Sequence, residues 1–241
     1  MKKILLFAIL LSAFAIESNA QQTYFTSQGE YIFSWSQYTG ETGSGNTRTR
    51  FTLFPNSEIV YNMDSRGMFG TYFGLSLKNV GLNWGDPEKH KRRSLSLGVP
   101  LAIKFGDLEN DNFFFVGGEV EAFFHYKKKD WTANGEKIKS SEWFSDEINI
   151  FQPSIMFGYC KNKFVFKVKY YLFDFYNADY THYNNGIAYQ ITQPSNIFYF
   201  GIAFRQDVGG NDFDFEEDND ADDQGFDFGY NSNLDRLYLE N

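Results

Sequence analysis

The segment Phe113–Tyr126, FFFVGGEVEAFFHY, carries two kinds of side chain in alternation. One set of alternate positions is wholly apolar or glycine: Phe114, Val116, Gly118, Val120, Ala122 and Phe124. The intervening set holds two acids, Glu119 and Glu121, among glycine and phenylalanine. Successive side chains leave a strand on opposite sides, so this period of two predicts a β-strand with one apolar face and one face that carries charge.

The same alternation recurs in seven further segments, which predicts eight strands in all. These segments cover residues 29–38, 47–63, 68–84, 94–105, 148–159, 164–175 and 196–205. The connections between them alternate long and short, as in outer-membrane barrels with short periplasmic turns and longer outer loops. Three prolines, Pro55, Pro100 and Pro153, fall inside the segments and predict a bulge or a strand boundary at one or more of them.

The first twenty residues have the pattern of a secretory signal peptide. Lys2 and Lys3 precede an apolar run from Ile4 to Ile16, and small residues end the segment at Ala20. The apolar run is too short to cross about 30 Å of hydrocarbon comfortably. We therefore expect residues 1–20 to be removed on export.

Apolar runs long enough for a membrane helix are missing after residue 20, although aromatic residues make up 20% of the chain. Alternating strands conceal their hydrophobicity from a running average. Only a closed barrel pairs every backbone polar group inside lipid without helices. We predict that residues 21–205 form an all-β, eight-stranded antiparallel transmembrane β-barrel, with both chain ends in the periplasm.

A soluble barrel of the lipocalin kind would show the same alternation, with the apolar face turned inward around a ligand. Its other face would then meet water and would be rich in charge. In this chain the second face is mostly glycine, serine, alanine, threonine and tyrosine with a few charges. That composition fits a narrow lumen and favours the membrane barrel.

Charge is distributed unevenly along the chain. Residues 206–241 hold twelve acidic side chains and one basic side chain, a net charge of −11, whereas residues 21–205 hold 18 acids and 19 bases, a net charge of +1. We predict that residues 206–241 are an acidic, mostly irregular periplasmic tail. Its aromatic and leucine side chains suggest a segment that binds a protein partner: Phe213, Phe215, Phe226, Phe228, Leu237 and Tyr238.

The lumen of an eight-stranded barrel has room only for side chains, so we do not expect a diffusion pore. Glu119 and Glu121 then need cations, since an unpaired buried charge is costly. Three basic residues share the required parity on other strands: Arg50, Lys78 and Lys169. We predict an ionic plug; an ion or proton pathway is the alternative.

Basic residues cluster where two predicted connections leave the membrane on the outer side: Lys89, Lys91, Arg92, Arg93, Lys127, Lys128 and Lys129. Lysine and arginine are natural partners for the phosphates of lipopolysaccharide, which lie at that level. A solvated loop without a ligand is the alternative. No nucleic-acid partner is expected.

An enzyme acting on membrane lipid would need a serine, a histidine and an acid near the outer leaflet. His125 is placed by parity on the lumen side with Glu121, but no nucleophile motif accompanies it. In the tail, Asp220, Asp222 and Gly225 suggest a calcium loop, yet Asn231 occupies the position of its closing acid. We therefore predict no catalytic residues, metal or cofactor.

The third segment, Gly74-Leu75-Ser76-Leu77-Lys78-Asn79-Val80-Gly81, and the seventh, from Lys169-Tyr170-Tyr171-Leu172-Phe173 to Asp179-Tyr180-Thr181, resemble small outer-membrane barrels of Gram-negative bacteria. These are the OmpX, OmpW and OmpA-transmembrane type, and more narrowly the "outer membrane beta-barrel" or porin-family proteins of the Bacteroidota. The resemblance covers residues 29–205. Tyr199, Gly201 and Phe204 resemble the C-terminal insertion signal of such barrels, but here the acidic tail follows them.

These observations lead to one functional hypothesis and two alternatives. The chain is predicted to be a non-enzymatic barrel with a closed lumen that serves as an accessory or scaffold subunit of an envelope complex for transport, secretion or barrel assembly. The alternatives are a barrel enzyme that modifies outer-membrane lipid and a surface or adhesive protein that acts through its outer loops.

Overall fold

Long strands follow from the alternating pattern, and the computed structural model has no other regular element in the residues that it describes. These are residues 21–40, 46–65, 68–85, 88–131, 135–184 and 187–208, all within one compact unit of the chain. The predicted signal peptide and the six tail residues proposed to bind a partner lie outside the described residues. Within the described residues, no helix is long and apolar enough to cross a membrane.

Thirteen strands are present in the described residues. In chain order they are β1 (Gln21–Ser36), β2 (Thr47–Arg48), β3 (Arg50–Thr52), β4 (Ser57–Ser65), β5 (Phe69–Trp84), β6 (Lys89–Asp107), β7 (Asn112–Trp131), β8 (Lys137–Trp143), β9 (Phe151–Lys161), β10 (Phe164–Tyr171), β11 (Thr181–Asn184), β12 (Ile187–Gln190) and β13 (Ile197–Val208).

Eight of these strands pair into a closed antiparallel ring. The order of neighbours is β13, β10, β9, β7, β6, β5, β4 and β1. The ring closes because β1 pairs with β13 along its length, from Phe25 opposite Val208 to Ser36 opposite Ile197. β11 and β12 form a separate hairpin. The predicted all-β class and the predicted ring of eight antiparallel strands are confirmed.

The end of the last strand differs from the predicted boundary. β13 continues to Val208, so Gln206 and Asp207, expected to begin the tail, still pair with Ser27 and Thr26 of β1. The first strand likewise begins at Gln21 instead of Gly29. β13 is longer because β1 supplies its backbone partners, and the first residues of β1 pair with β4.

One of the three prolines coincides with a strand boundary. Pro55 lies between β3 and β4, which divide the predicted second strand. Pro100 and Pro153 stay within ladders, opposite Glu119 and Val120 respectively. The ladder irregularity near Pro100 instead falls between Leu95 and Ser96.

Two predicted loops are strands in the structure. β6 and β7 continue pairing through residues expected to be loop, so that Lys91 lies opposite Lys129. Beyond Ala122, β7 pairs with β8 and no longer with β9. We call the resulting three-stranded extension, residues 89–95, 125–131 and 137–143, the ribbon. The loop prediction was wrong because charged side chains also alternate along a strand, where only their face is restricted.

Side-chain burial in the ring is the reverse of that in a soluble protein. Large apolar side chains point outward and are exposed: Leu75 by 59%, Val99 by 54%, Val120 by 56% and Phe151 by 68%. The inward positions between them hold buried serine, lysine, glutamate and tyrosine. The core of the protein is therefore polar in its middle and is enclosed by an apolar belt.

Candidate functional site: the ring interior and the ribbon

The middle of the interior is occupied by ion pairs between β7 and β10. Lys169 Nζ lies 2.6 Å from Glu119 Oε2 and also contacts Glu121 Oε1. All three side chains are fully buried. The structure thus places Lys169 beside both glutamates, with only β9 between their two strands.

A second group of ion pairs lies next to the first. Lys78 Nζ lies 2.5 Å from Glu30 Oε2 and 3.1 Å from Glu58 Oε2. Lys167 Nζ lies 2.8 Å from the same Glu58 oxygen. Lys78 was proposed as a partner of Glu119 and Glu121, but its direct partners are Glu30 and Glu58.

Hydroxyl groups complete the first of these two groups. We call the two groups together the lumen network: Glu30, Glu58, Lys78, Glu119, Glu121, Lys167 and Lys169. Ser76 donates a hydrogen bond to Glu119, and Ser96 donates one to Glu121. The Tyr171 hydroxyl donates to Glu121 Oε1 over 2.7 Å. Four carboxyl groups therefore face three amino groups and three hydroxyl donors, which is the kind of pairing that buried charges require.

Sequence reasoning missed three members of the lumen network: Glu30, Glu58 and Lys167. Each occupies an inward position on its strand, so strand parity alone would have placed it in the lumen. Parity does not give the register between strands, and that register decides which side chains contact each other.

Packed side chains seal the lumen above and below the network. Phe123, Tyr171 and Tyr199 belong to a buried aromatic cluster on the ribbon side. Tyr72 and Phe115 belong to a second cluster on the opposite side. A cavity of about 20 Å³ lies beside the second cluster, large enough for about one water molecule. The interior is thus filled by side chains.

Arg50 closes a seam in the ring and does not reach the glutamates. β3 pairs with β1 but not with β5, so Asn79 on β5 lacks a strand partner there. Arg50 Nη1 donates to the backbone carbonyl oxygen of Asn79 over 2.9 Å, and the backbone N–H of Asn79 donates to Asn56 Oδ1 over 2.8 Å. Two side chains therefore replace the missing ladder bonds. The proposed pairing of Arg50 with Glu119 and Glu121 was wrong.

The outward face of the ribbon carries seven cations, which we call the basic face: Lys89, Lys91, Arg93, Lys127, Lys129, Lys137 and Lys139. Backbone pairing aligns Lys91, Lys129 and Lys139 in one row across three strands. Lys91 and Lys137 also lie over the Trp131 ring, 5.4 Å and 4.9 Å from its centroid. Lys137 and Lys139 were absent from the predicted cluster because β8, the strand that carries them, had been expected to be part of a loop.

The inward face of the ribbon carries cations that are paired. Arg92 Nη1 lies 2.6 Å from Asp130 Oδ1, and His90 Nδ1 lies 2.7 Å from the same oxygen. Lys128 pairs with Glu147. Arg92 and Lys128 were expected to face lipopolysaccharide, which was wrong because alternation turns them to the other side of the ribbon.

The electrostatics of Asp130 follow from these contacts. Partial burial raises the pKa of its carboxyl, while Arg92 and His90 lower that pKa by more, so it lies below its usual range. Asp130 is therefore the anion that holds β6 and β7 together at the inward face of the ribbon.

A groove of about 550 Å³ opens between β3 and the ribbon. Phe51, Leu53 and Phe54 form one wall of this outer groove, and Asn79 and Asn83 line it as well. The cations that line it are Arg50, Lys91, Arg92, Arg93, Lys127 and Lys129. An apolar wall thus faces a cationic wall, a combination suited to a molecule with an apolar part and an anionic part.

His125 lies on the outward side, where its ring centroid is 4.7 Å from that of Trp143. The expected position beside Glu121 was wrong because the irregularity at Leu95 and Ser96 reverses the parity of β7 beyond Phe123. In the described ranges, no three His, Cys, Asp or Glu side chains come together as a metal site would require.

Comparison with known proteins gives a likeness in structure but none in sequence. No protein-family model matches the chain, and no curated protein matches it in sequence. Among solved structures, it is similar to Ail, the attachment invasion locus protein of Yersinia pestis, crystallised in complex with the heparin analogue sucrose octasulfate. The TM-score is 0.33 at 8% identity, and the match covers 78% of this chain and 100% of Ail.

Proposed function

We propose that this chain is an outer-membrane β-barrel whose lumen is closed and whose function lies at its rims. The observation that carries the proposal is the ring of strands with apolar side chains outside and polar side chains inside. Water would meet a belt of exposed leucine, valine and phenylalanine if the protein were soluble. Lipid accommodates that belt, because the closed ring pairs its strands with each other and side chains bond the backbone at Asn79.

The orientation follows from the ends of the ring. Gln21 and Val208, the first and last described residues, lie at the edge where β6 joins β7 and β9 joins β10 by short turns, and the ribbon extends from the other edge. In outer-membrane barrels short turns are periplasmic. The ribbon then lies outside the cell, at the level of lipopolysaccharide phosphates.

The closed lumen argues for an anchor or platform and against a conduit. The ion pairs of the lumen network and the aromatic cluster above them leave space for single water molecules only. The test is reconstitution in planar bilayers beside a general porin. The proposal expects insertion without steady conductance; steady channels at single-protein level would contradict the closed lumen, and failure to insert would contradict the membrane assignment.

An accessory role in an envelope complex remains our proposal for the acidic tail. Its support is the charge of residues 206–241, where twelve acidic side chains stand against one basic side chain, and the aromatic side chains between them. Affinity purification in mild detergent of the full chain and of a chain that ends at Val208 tests the role. Partners retained only by the full chain would support it, and identical partner sets would contradict it.

A surface role through the ribbon is the second candidate, because no acid among the described residues forms an ion pair with the basic face. We propose a non-enzymatic role in both cases. A lipid-modifying activity would require His125, so an activity on outer-membrane lipid that is lost in His125→Ala would overturn this part of the proposal.

A further inference from the structure

We propose that the outer groove binds the phosphorylated headgroup of a membrane lipid, with phosphate on Arg93, Lys127 and Lys129 and acyl chain along Phe51, Leu53 and Phe54. The inference rests on the proposed membrane orientation, which puts the groove at the outer boundary of the bilayer. It adds a defined site, an outward-facing one, to a barrel whose lumen is closed.

The first step in the argument is an imbalance between the two faces of the ribbon. On the inward face, Arg92 and Lys128 are matched by Asp130 and Glu147. On the basic face, no carboxylate among the described residues lies within ion-pair distance of any of the seven cations. The same three strands therefore carry one neutralised face and one face with unmatched positive charge.

Strand register makes that unmatched charge costly to the free protein. Lys129 lies opposite Lys91 on one side and Lys139 on the other, and Arg93 lies opposite Lys127. Like charges directly opposite each other across strands are destabilising. Partial burial, together with Arg93, Lys137, Lys127 and Lys139, lowers the pKa of the Lys129 ammonium. An anion that enters this row would relieve the repulsion.

The apolar wall decides which anion fits. Phe51 is 56% exposed, Leu53 58% and Phe54 81%, and they continue the apolar belt toward the ribbon. A free phosphate or a sugar chain would contact only the cations and would make no use of these side chains. A phosphorylated lipid covers them with its acyl chain while its phosphate lies against the cations, where charge-assisted hydrogen bonds are strong.

Polar groups at the base of the groove suit a lipid headgroup. Asn79 and Asn83 point outward from β5 between the two walls. Arg50 is held against Asn79 by two hydrogen bonds, so its remaining charge is fixed at the groove without a carboxylate partner in the described residues. The groove thus offers Arg50, which is held by hydrogen bonds, and the lining cations of the basic face on one side of an apolar surface.

The experiment uses the full chain in nanodiscs of phosphatidylcholine doped with diphosphoryl lipid A, and native mass spectrometry counts retained lipid A. The test variant combines Arg93→Gln with Lys127→Gln. If this double variant does not enter nanodiscs, each single variant is measured in its place. Lys161→Gln, which removes an exposed lysine at the opposite edge, is the matched control. Two lost charge-assisted contacts lower retention at least about tenfold, and the control retains wild-type amounts.

A second variant separates lipid from free phosphate. Leu53→Ser with Phe54→Ser keeps every cation, so it is expected to lower lipid A retention while inorganic phosphate still binds weakly. Equal retention by wild-type protein and the Arg93, Lys127 variant would overturn the inference. Complete displacement of lipid A by inorganic phosphate would also overturn it, because it would leave an anion site without a lipid. A chain that fails to enter nanodiscs would instead contradict the proposed function.

Discussion

Lys169 Nζ lies 2.6 Å from the Glu119 carboxylate with both side chains fully buried, in a ring whose outward side chains are apolar. In a soluble protein the apolar side chains would occupy this position. The pair links β7 to β10 inside the ring, over the one strand, β9, that lies between them. It therefore acts as a cross-brace inside the ring.

Removal of the shared cation is expected to be strongly destabilising. In Lys169→Met, Glu119 and Glu121 lose their common partner and are left as adjacent buried carboxylates. Breaking a buried pair by removal of one partner costs about 3–5 kcal/mol. Urea unfolding in lipid vesicles, followed by the gel mobility of folded and unfolded chain, measures it. Lys161→Gln is the control, and equal unfolding midpoints for the two variants would refute the cross-brace.

A milder change at Glu121 tests the lumen network while it keeps a polar side chain of the same size at that position. In Glu121→Gln one of the two carboxylate oxygens becomes an NH2 group, so only one of the hydrogen bonds from Tyr171 and Ser96, which reach different oxygens, is kept. Lys169 keeps Glu119. We expect a loss of about 1–3 kcal/mol in the free energy of unfolding, the cost of a weakened charged hydrogen bond. Thermal unfolding in detergent gives the comparison, and an unchanged melting temperature would exclude Glu121 from the plug.

The seam at Asn79 predicts a further loss. Arg50→Ala leaves the Asn79 carbonyl without its donor at a point where the ladder is already interrupted, and we expect about 1–3 kcal/mol of destabilisation. Hydrogen exchange of the neighbouring β5 amides should accelerate locally. The matched comparison is Arg93→Ala, which removes an arginine from the outer groove without touching the ladder; similar exchange in both variants would argue against the seam.

The ribbon is expected to loosen in acid. The pKa of Asp130 is lowered in the folded protein, so its contribution to stability is present above its unfolded pKa of about 3.9 and is lost as the pH falls through the lower folded value. Fluorescence of the ribbon tryptophans below about pH 4 should report the change. Asp130→Asn should remove this pH dependence, and an unchanged profile in that variant would assign it to other groups.

Alternation made most of the ring predictable, because lipid on one side and packed polar groups on the other restrict every second residue. The same rule placed Glu119, Glu121 and Lys169 in the lumen. It misassigned His125, since one ladder irregularity reverses the parity beyond it. It also missed Lys137 and Lys139, because a solvent-exposed ribbon has no buried face to impose a pattern.

The partners within the lumen were less predictable for a different reason. Lys78 could be placed inside by parity, but its choice of Glu30 and Glu58 depends on the stagger of the three strands β5, β4 and β1. Arg50 does lie inward, opposite Ser34, but its partner is Asn79 and not a glutamate. Local sequence fixes the face of a residue, and long-range register fixes its contacts.

The central claim is that the apolar belt faces lipid. Spin labels at Val116→Cys and Val120→Cys, in a Cys160→Ser background and in lipid vesicles, test it by collision with oxygen and with a water-soluble nickel complex. The account predicts that both belt labels collide more with oxygen than with nickel, whereas a label at Lys139→Cys on the ribbon shows the reverse. Nickel collisions at Val116 and Val120 as frequent as at Lys139 would contradict it.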